Sequence, residues 1–112
     1  MKGHQIVWAV LAAALLFVLA PATAVRGGTA EEGRIEINDF AFAPKSLTIK
    51  AGSAVTWENK DDEPHTVVSD SGVFRSAAMD TGEKFTFKFD KPGTYHYACS
   101  IHPRMVGTII VE

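Results

Sequence analysis

The chain beyond residue 33 is predicted to fold as an all-β sandwich or barrel of seven to eight short strands. Two observations predict this class: short segments in which apolar and polar residues alternate, and turn-forming residues that separate those segments. A third is that no convincing helical period follows residue 24. Many short strands of this kind are typical of β-sandwiches and barrels.

The first half of the domain carries four alternating apolar pairs. Each pair places two apolar side chains on one face of a strand and leaves polar side chains on the other face. Pro44 cannot donate a hydrogen bond to a sheet, so the strand before it is predicted to break or bulge there. The pairs are Ile35 with Ile37, Phe40 with Phe42, Leu47 with Ile49, and Val55 with Trp57.

The second half contains the clearest strand pattern, in which three phenylalanines alternate with polar residues. A turn follows, after which two tyrosines and Cys99 are predicted to share one inward face, and Val106–Val111 forms the last strand. Residues 73–84 show no clear period, and we interpret them as a long connection in which Met79 is a surface or rim residue. The aromatic residues of these strands are Phe85, Phe87, Phe89, Tyr95 and Tyr97.

Length, charge and cysteine content narrow the possible functions. The chain has 112 residues and a formal net charge of -2, which allows one domain and makes nucleic acid a poor candidate partner. Its single cysteine cannot form an internal disulfide. In an exported protein that thiol must be buried, bound to a metal or paired with another chain.

The N-terminal residues 1–24 are predicted to be a secretory signal peptide. Lys2 supplies the positive charge, Ile6–Ala20 is apolar, and Ala22-Thr23-Ala24 provides small residues at a cleavage site. The apolar run is shorter than the roughly 20 residues that span a bilayer, although a retained anchor is the alternative. No twin arginine precedes it. We therefore expect periplasmic export by the general secretory route, a flexible lead-in over 25–33, and a domain over 34–112.

A soft ligand set lies near the C-terminus. Cys99, His102 and Met105 offer a thiolate, an imidazole and a thioether, and a His2Cys set with a weak axial Met is the blue-copper arrangement. His65, in a turn after a strand, is the best-placed second histidine, whereas His96 is predicted to face solvent. Zinc also accepts such ligands. Taken singly, Cys99 could instead be an inert buried thiol, and His65 an exposed turn histidine.

Two segments together resemble the cupredoxins, and in particular their amicyanin and plastocyanin-like branch. These are the Pro64-His65-Thr66-Val67 run and Gly93–Met105 with its short Cys-x-x-His-x-x-Met loop. The resemblance covers residues 34–112 and implies a Greek-key sandwich that binds one copper ion. It assigns His65, Cys99 and His102 as equatorial ligands and Met105 as the weak axial ligand.

The same resemblance implies roles for three residues around the ligands. Asn59 is expected to steady the ligand loop by bonding Ser100, and the backbone amide of Thr66 is expected to donate to the Cys99 sulfur. Such bonds tune the affinity and the redox potential of a metal. The chain departs from the family pattern at Thr66, where many relatives carry asparagine. It also departs at Ile101, where proline is common, and at Arg104, in a region that is usually apolar.

The function that this resemblance implies is a periplasmic electron shuttle that is not an enzyme. We expect a monomer with transient protein redox partners, no nucleic acid and no stable membrane association after signal cleavage. A periplasmic copper carrier or scavenger is the alternative, since it would use the same ligands, whereas a hydrolase or oxidase fits poorly. The expected contact patch around His102 is Pro64, Ile101, Pro103 and Phe42. The acidic turn 61–63 could steer a basic partner or be simply solvated.

Overall fold

The computed structural model describes Gly3 and residues 32–112. Within these residues it contains eight strands and no helix, which confirms the all-β class. None of the described residues belongs to a helix that could cross a membrane. Apart from Gly3, the predicted signal peptide lies outside the described residues, as do residues 25–31 of the lead-in. The strands are β1 (Glu32–Asn38), β2 (Ala41–Ala43), β3 (Ser46–Ile49), β4 (Ser53–Asn59), β5 (Val68–Ser69), β6 (Lys84–Phe89), β7 (Gly93–Ala98) and β8 (Val106–Val111).

The strands form two sheets of four. The first sheet has the order β2-β1-β4-β6 and the second the order β3-β8-β7-β5. Two of the pairings are parallel, β1 with β4 and β3 with β8, and the others are antiparallel. The apolar core lies between the two sheets, as the alternating pattern predicts, and its residues come from both of them.

Trp57 of β4 occupies the centre of this core. It is fully buried, its ring stacks on Phe85 at 5.7 Å between centroids, and it meets Tyr97 edge-on at 5.4 Å. Aromatic pairs at such distances and angles contribute beyond the area they bury. Trp57 and Phe85 belong to the first sheet and Tyr97 to the second. The contact between Trp57 and Tyr97 therefore joins the two sheets.

The first strand begins earlier than its apolar pattern indicates. Glu32 and Gly33 pair with Ala54 and Val55 in β4, so the last two residues of the predicted lead-in belong to the sheet. An ideal Cβ on Gly33 would lie 2.9 Å from the terminal methyl of Leu47, so a side chain at this position would require the Leu47 side chain to shift. Gly33 continues the inward face of β1, but a residue without a side chain leaves no mark on a hydrophobic pattern.

The prediction that Phe40 and Phe42 share one face is wrong. Phe42 is buried, whereas the Phe40 ring is 49% exposed. Asp39 and Phe40 have positive φ angles of 53° and 56° and form the two-residue turn between β1 and β2, in which Asn38 pairs with Ala41. Hairpins favour such left-handed turns and accept aspartate at the first position, but they usually carry glycine at the second, where this chain has Phe40. The strand ends at Ala43, before Pro44, as predicted.

Residues 70–83 form a long connection, as predicted, but Met79 does not lie at the surface or rim. It is buried, and its backbone amide and carbonyl exchange hydrogen bonds of 2.8 and 3.1 Å with those of His65. Phe74 and Ser76 of this segment are also buried. Isolated bridges of this kind involve one residue at a time, so they produce no periodic pattern in the sequence.

Tyr97 of β7 and Gly107 of β8 lie directly opposite each other. An ideal Cβ on Gly107 would lie 2.3 Å from Cζ and from the hydroxyl oxygen of Tyr97, so the tyrosine ring covers the glycine. The Tyr97 hydroxyl is buried, and it has no hydrogen-bond partner among the described residues. Burial raises the pKa of Tyr97 to about 12, so the hydroxyl stays neutral.

Candidate metal centre

Three of the four predicted ligands meet at one end of the sandwich. His65 lies in the connection after β4, and Cys99 and His102 lie in the loop between β7 and β8. Their ligand atoms all lie within 4.8 Å of one another. The Cys99 Sγ is 3.8 Å from Nδ1 of His65 and 3.7 Å from Nδ1 of His102. The fold therefore brings together residues that are more than thirty positions apart in the chain.

Burial differs among these three residues. His65 and Cys99 are fully buried, whereas His102 is half-buried. Access to the cluster is therefore through the imidazole of His102, as the sequence analysis expected. His96 is exposed on β7, where its ring contacts Thr108 at 3.2 Å, and this confirms its predicted solvent-facing position.

The loop that carries Cys99, His102 and Met105 is closed by two backbone hydrogen bonds. The Cys99 amide donates to the Met105 carbonyl at 3.0 Å, and the Met105 amide donates to the His102 carbonyl at 2.9 Å. Met105 is buried, and with His102 it lines a surface depression whose rim includes Phe40, Ile101 and Pro103. The backbone of Met105 is thus tied to Cys99 and His102, and its role as the fourth ligand stays a prediction.

Two hydrogen-bond donors from Thr66 approach the Cys99 sulfur. The Thr66 amide donates to Sγ at 3.4 Å, which confirms the expected backbone bond, and the Thr66 hydroxyl lies 3.8 Å from the same atom. Donors placed in this way stabilise the thiolate over the thiol. The substitution of threonine for asparagine at this position therefore leaves the backbone donor intact.

The expected hydrogen bond between Asn59 and Ser100 is wrong. The Ser100 amide donates instead to the Thr66 hydroxyl at 2.7 Å, and the two hydroxyls lie 2.8 Å apart. The Asn59 amide group donates to the carbonyls of Glu63 and Met79, at 2.8 and 2.9 Å. Asn59 ends β4 with its side chain buried, so it reaches the turn before His65 rather than the cysteine loop.

Asp61 is a residue of the site that the sequence analysis missed. Its Oδ2 lies 2.8 Å from Nε2 of His65, and its two carboxylate oxygens accept from the amides of Asp39 and Phe40 at 2.6 and 2.9 Å. Partial burial opposes ionisation, but these donors outweigh it and hold the pKa of Asp61 below its usual range. The only mark of this role in the sequence is that Asp61 is a carboxylate four residues before His65. The turn that contains it otherwise suggests a cluster of solvated acidic residues.

Phe40 replaces Phe42 in the expected contact patch. The Phe40 ring meets the imidazoles of His65 and His102 edge-on, with centroid distances of 5.3 and 5.1 Å. Phe42 lies in the core, where it packs against Tyr97 at 4.7 Å. The left-handed turn that exposes Phe40 thus carries an aromatic ring over the two histidines.

The Cys99 thiol is chemically suited to a soft metal ion. Burial alone would raise its pKa, but hydrogen bonds from the Thr66 amide and from the rings of His65 and His102 outweigh burial and lower the pKa to about 6. The thiolate, which is the metal-binding form of cysteine, therefore predominates at neutral pH. One thiolate and two imidazoles suit copper or zinc, and Met105 adds a soft sulfur that favours copper.

This pKa predicts that the metal-free protein gains stability as the pH rises. Cys99 ionises near pH 6 in the folded state and near pH 9 as an unperturbed thiol. The stabilisation is therefore complete above about pH 9 and is lost as the pH falls through 6. It amounts to on the order of 2–4 kcal/mol. Urea unfolding of the metal-free protein between pH 5 and 9 measures it, and Cys99→Ala should remove this part of the dependence; an unchanged profile in the variant would contradict the assignment.

Comparison with known proteins identifies the family to which this chain is similar. A sequence profile described as a cupredoxin-like domain matches residues 9–111. An amicyanin-alpha of Methylorubrum extorquens is 36% identical over an alignment 94 residues long, which covers 80% of this chain and 79% of that protein. A plastocyanin of Scenedesmus fuscus is 40% identical over an alignment 86 residues long, which covers 65% of this chain and 88% of that protein.

Solved structures show the same architecture. A Cu(I) form of an amicyanin variant superposes on this chain with a TM-score of 0.69 and 29% sequence identity. The superposition covers 75% of this chain and 86% of that structure. Sequence similarity and backbone similarity therefore point to the same family.

Proposed function

The chain belongs to the cupredoxin-like domain family, and from that premise we propose that it is a periplasmic type 1 (blue) copper protein that carries single electrons. The observation that carries the proposal is the cluster of Cys99, His65 and His102, whose ligand atoms lie within 4.8 Å of one another. Amicyanin with Cu(I) is among the structures that superpose on this chain. The low pKa of Cys99 supports copper binding, because the thiol ionises without needing a metal to displace its proton.

In the proposed site, His65, Cys99 and His102 are the equatorial ligands and Met105 is the weak axial ligand. Bound copper supplies one-electron cycling between Cu(I) and Cu(II). The residues of this chain hold the donor atoms in place: the Thr66 amide and hydroxyl fix the Cys99 sulfur, and backbone bonds close the loop. Because four side chains fill the site, no position is left for a substrate, and we propose a carrier rather than an enzyme.

The surface around His102 supports exchange of electrons with another protein. His102 is half-buried, and its neighbours Phe40 and Ile101 are exposed apolar residues. A small apolar rim suits a transient partner, since encounters between redox proteins bury little surface. Arg104, also exposed on this rim, adds a positive charge. We infer transient protein partners that are reached through this end of a monomer.

A copper titration tests the proposal. Metal-free, reduced protein is titrated with Cu(II) while the visible spectrum is recorded, and one equivalent is expected to produce an intense thiolate-to-copper band. Rapid electron self-exchange between the Cu(I) and Cu(II) forms would support a shuttle. Slow self-exchange with ready copper transfer to a chelator would favour the copper carrier, and a folded protein without the band would overturn the blue-copper assignment.

A further inference from the structure

Asp61 is the point at which three donors from two separate segments converge. It accepts from Nε2 of His65 and from the amides of Asp39 and Phe40. Its side chain is only 10% exposed, whereas its neighbours Asp62 and Glu63 are exposed. Asp61 therefore differs from the rest of the acidic turn, because its carboxylate is engaged by the protein rather than by water.

We propose that Asp61 is a positioning residue that orients His65 for metal binding and holds Phe40 against the site. This inference rests on the proposed function, because it concerns a ligand of the proposed copper. A metal-bound His65 would carry its remaining proton on Nε2, where the Asp61 carboxylate accepts it at 2.8 Å, and would present Nδ1, which lies 3.8 Å from the Cys99 sulfur, to the metal. The outer hydrogen bond of a ligating histidine fixes which nitrogen binds the metal.

A carboxylate is the group that this position requires. All three of its partners are donors, and an ionised carboxylate offers only acceptors, whereas an asparagine would have to turn its NH2 group toward one of them. A negative acceptor also makes the imidazole a stronger electron donor, because it draws the Nε2 proton away from the ring. The expected consequence is tighter metal binding and a lower reduction potential than a neutral acceptor would give.

The same carboxylate holds the turn that carries Phe40. Asp39 and Phe40 are non-glycine residues with positive φ angles, a strained conformation that needs support from surrounding contacts. The two amide hydrogen bonds to Asp61 supply that support. Because the Phe40 ring packs edge-on against His65 and His102, one side chain positions both a ligand and the ring above it.

The test compares Asp61→Ala and Asp61→Asn with two control variants. Asp62→Asn removes the same charge from an exposed neighbour, and Phe40→Ala removes the ring but leaves the contact between Asp61 and His65. In metal-free protein, zinc affinity is measured by competition with a chelator, and Asp61→Ala is expected to weaken it roughly 10–100-fold. Asp61→Asn should fold even if the alanine variant does not, and it should weaken binding less.

Two further readouts follow His65 directly. In the Cu(I) protein, the Nε2 proton of His65 should exchange slowly with solvent in the NMR spectrum, and it should exchange faster in both Asp61 variants. The reduction potential should rise in Asp61→Asn and stay near the wild-type value in Asp62→Asn. Equal behaviour of the Asp61 and Asp62 variants would overturn the inference, as would a Phe40→Ala variant that reproduces the whole effect.

The zinc measurement separates this inference from the proposed function. One outcome is that the wild-type protein shows no blue band while Asp61→Ala binds zinc more weakly than the wild type does. In that case the copper function fails and the positioning role of Asp61 stands. If the blue band forms and the Asp61 variants match the wild type in affinity, exchange and potential, the copper function stands and the positioning role fails.

Discussion

Replacement of Cys99 by serine is expected to abolish the intense visible band of the copper-loaded protein completely. That band requires a thiolate bound to Cu(II), and a serine hydroxyl is neither a thiolate nor a soft ligand. Copper affinity should fall by more than the roughly 10–100-fold that is typical of losing an outer-shell partner. Visible absorption and a chelator competition on the same samples measure both effects. A persistent blue band in Cys99→Ser would contradict the ligand assignment.

Two matched variants define the specificity of this effect. Met105→Leu keeps the buried volume while removing the sulfur, and because the axial ligand is weak, the band should persist with a changed reduction potential. His96→Ala removes an exposed histidine on β7, and it should leave the spectrum unchanged. A loss of colour in His96→Ala would mean that the second histidine ligand had been wrongly identified.

Substitution of Gly107 by alanine is expected to destabilise the protein by about 3 kcal/mol or more, at the upper end of overpacking costs. The added Cβ would lie 2.3 Å from the Tyr97 ring, far inside van der Waals contact, and the ring is held between Trp57 and Phe42. Urea unfolding of metal-free protein measures the loss. Thr108→Ala, the next residue along β8, serves as a control and should cost much less.

A double-mutant cycle identifies the cause of this loss. Tyr97→Phe removes the hydroxyl oxygen but keeps Cζ, which the new Cβ would also meet at 2.3 Å, so it should rescue Gly107→Ala only slightly. Tyr97→Leu removes the outer ring atoms and should recover part of the stability in the double variant, measured against its own single-mutant cost. Equal effects of Gly107→Ala in the wild-type and Tyr97→Leu backgrounds would contradict a steric origin.

The sandwich and the main ligand candidates could be predicted from the sequence because both leave local marks. The phenylalanines of β6 alternate as a strand must, and the spacing of Cys99 and His102 places two donors in one short loop. The pairing of His65 with them needed only a histidine in a turn after a strand. These predictions use the chemistry of individual residues and require no knowledge of long-range geometry.

The features that the sequence analysis missed depend on contacts between distant segments. Asp61 resembles any acidic turn residue until the hairpin turn at Asp39 and Phe40 is placed beside it. That turn carries Phe40 at the position where a glycine would have marked it. The Ser100 amide donates to the Thr66 hydroxyl, because the fold brings the residue after His65, rather than the end of β4, beside the cysteine loop.

β8 is the last of the eight described strands along the chain, and this order has a consequence for how the chain matures. β8 lies between β3 and β7 in its sheet. β3 therefore cannot pair until β8 is present, because Ser46 of β3 pairs with Thr108 of β8. Such non-local pairing is slow, because a long loop must close before any contact stabilises it. A ribosome-bound chain that lacks β8 would leave β3 and β7 as open edges. Completion of the fold is therefore delayed until β8 has been synthesised, and an unfolded chain is the form that the proposed secretory export requires.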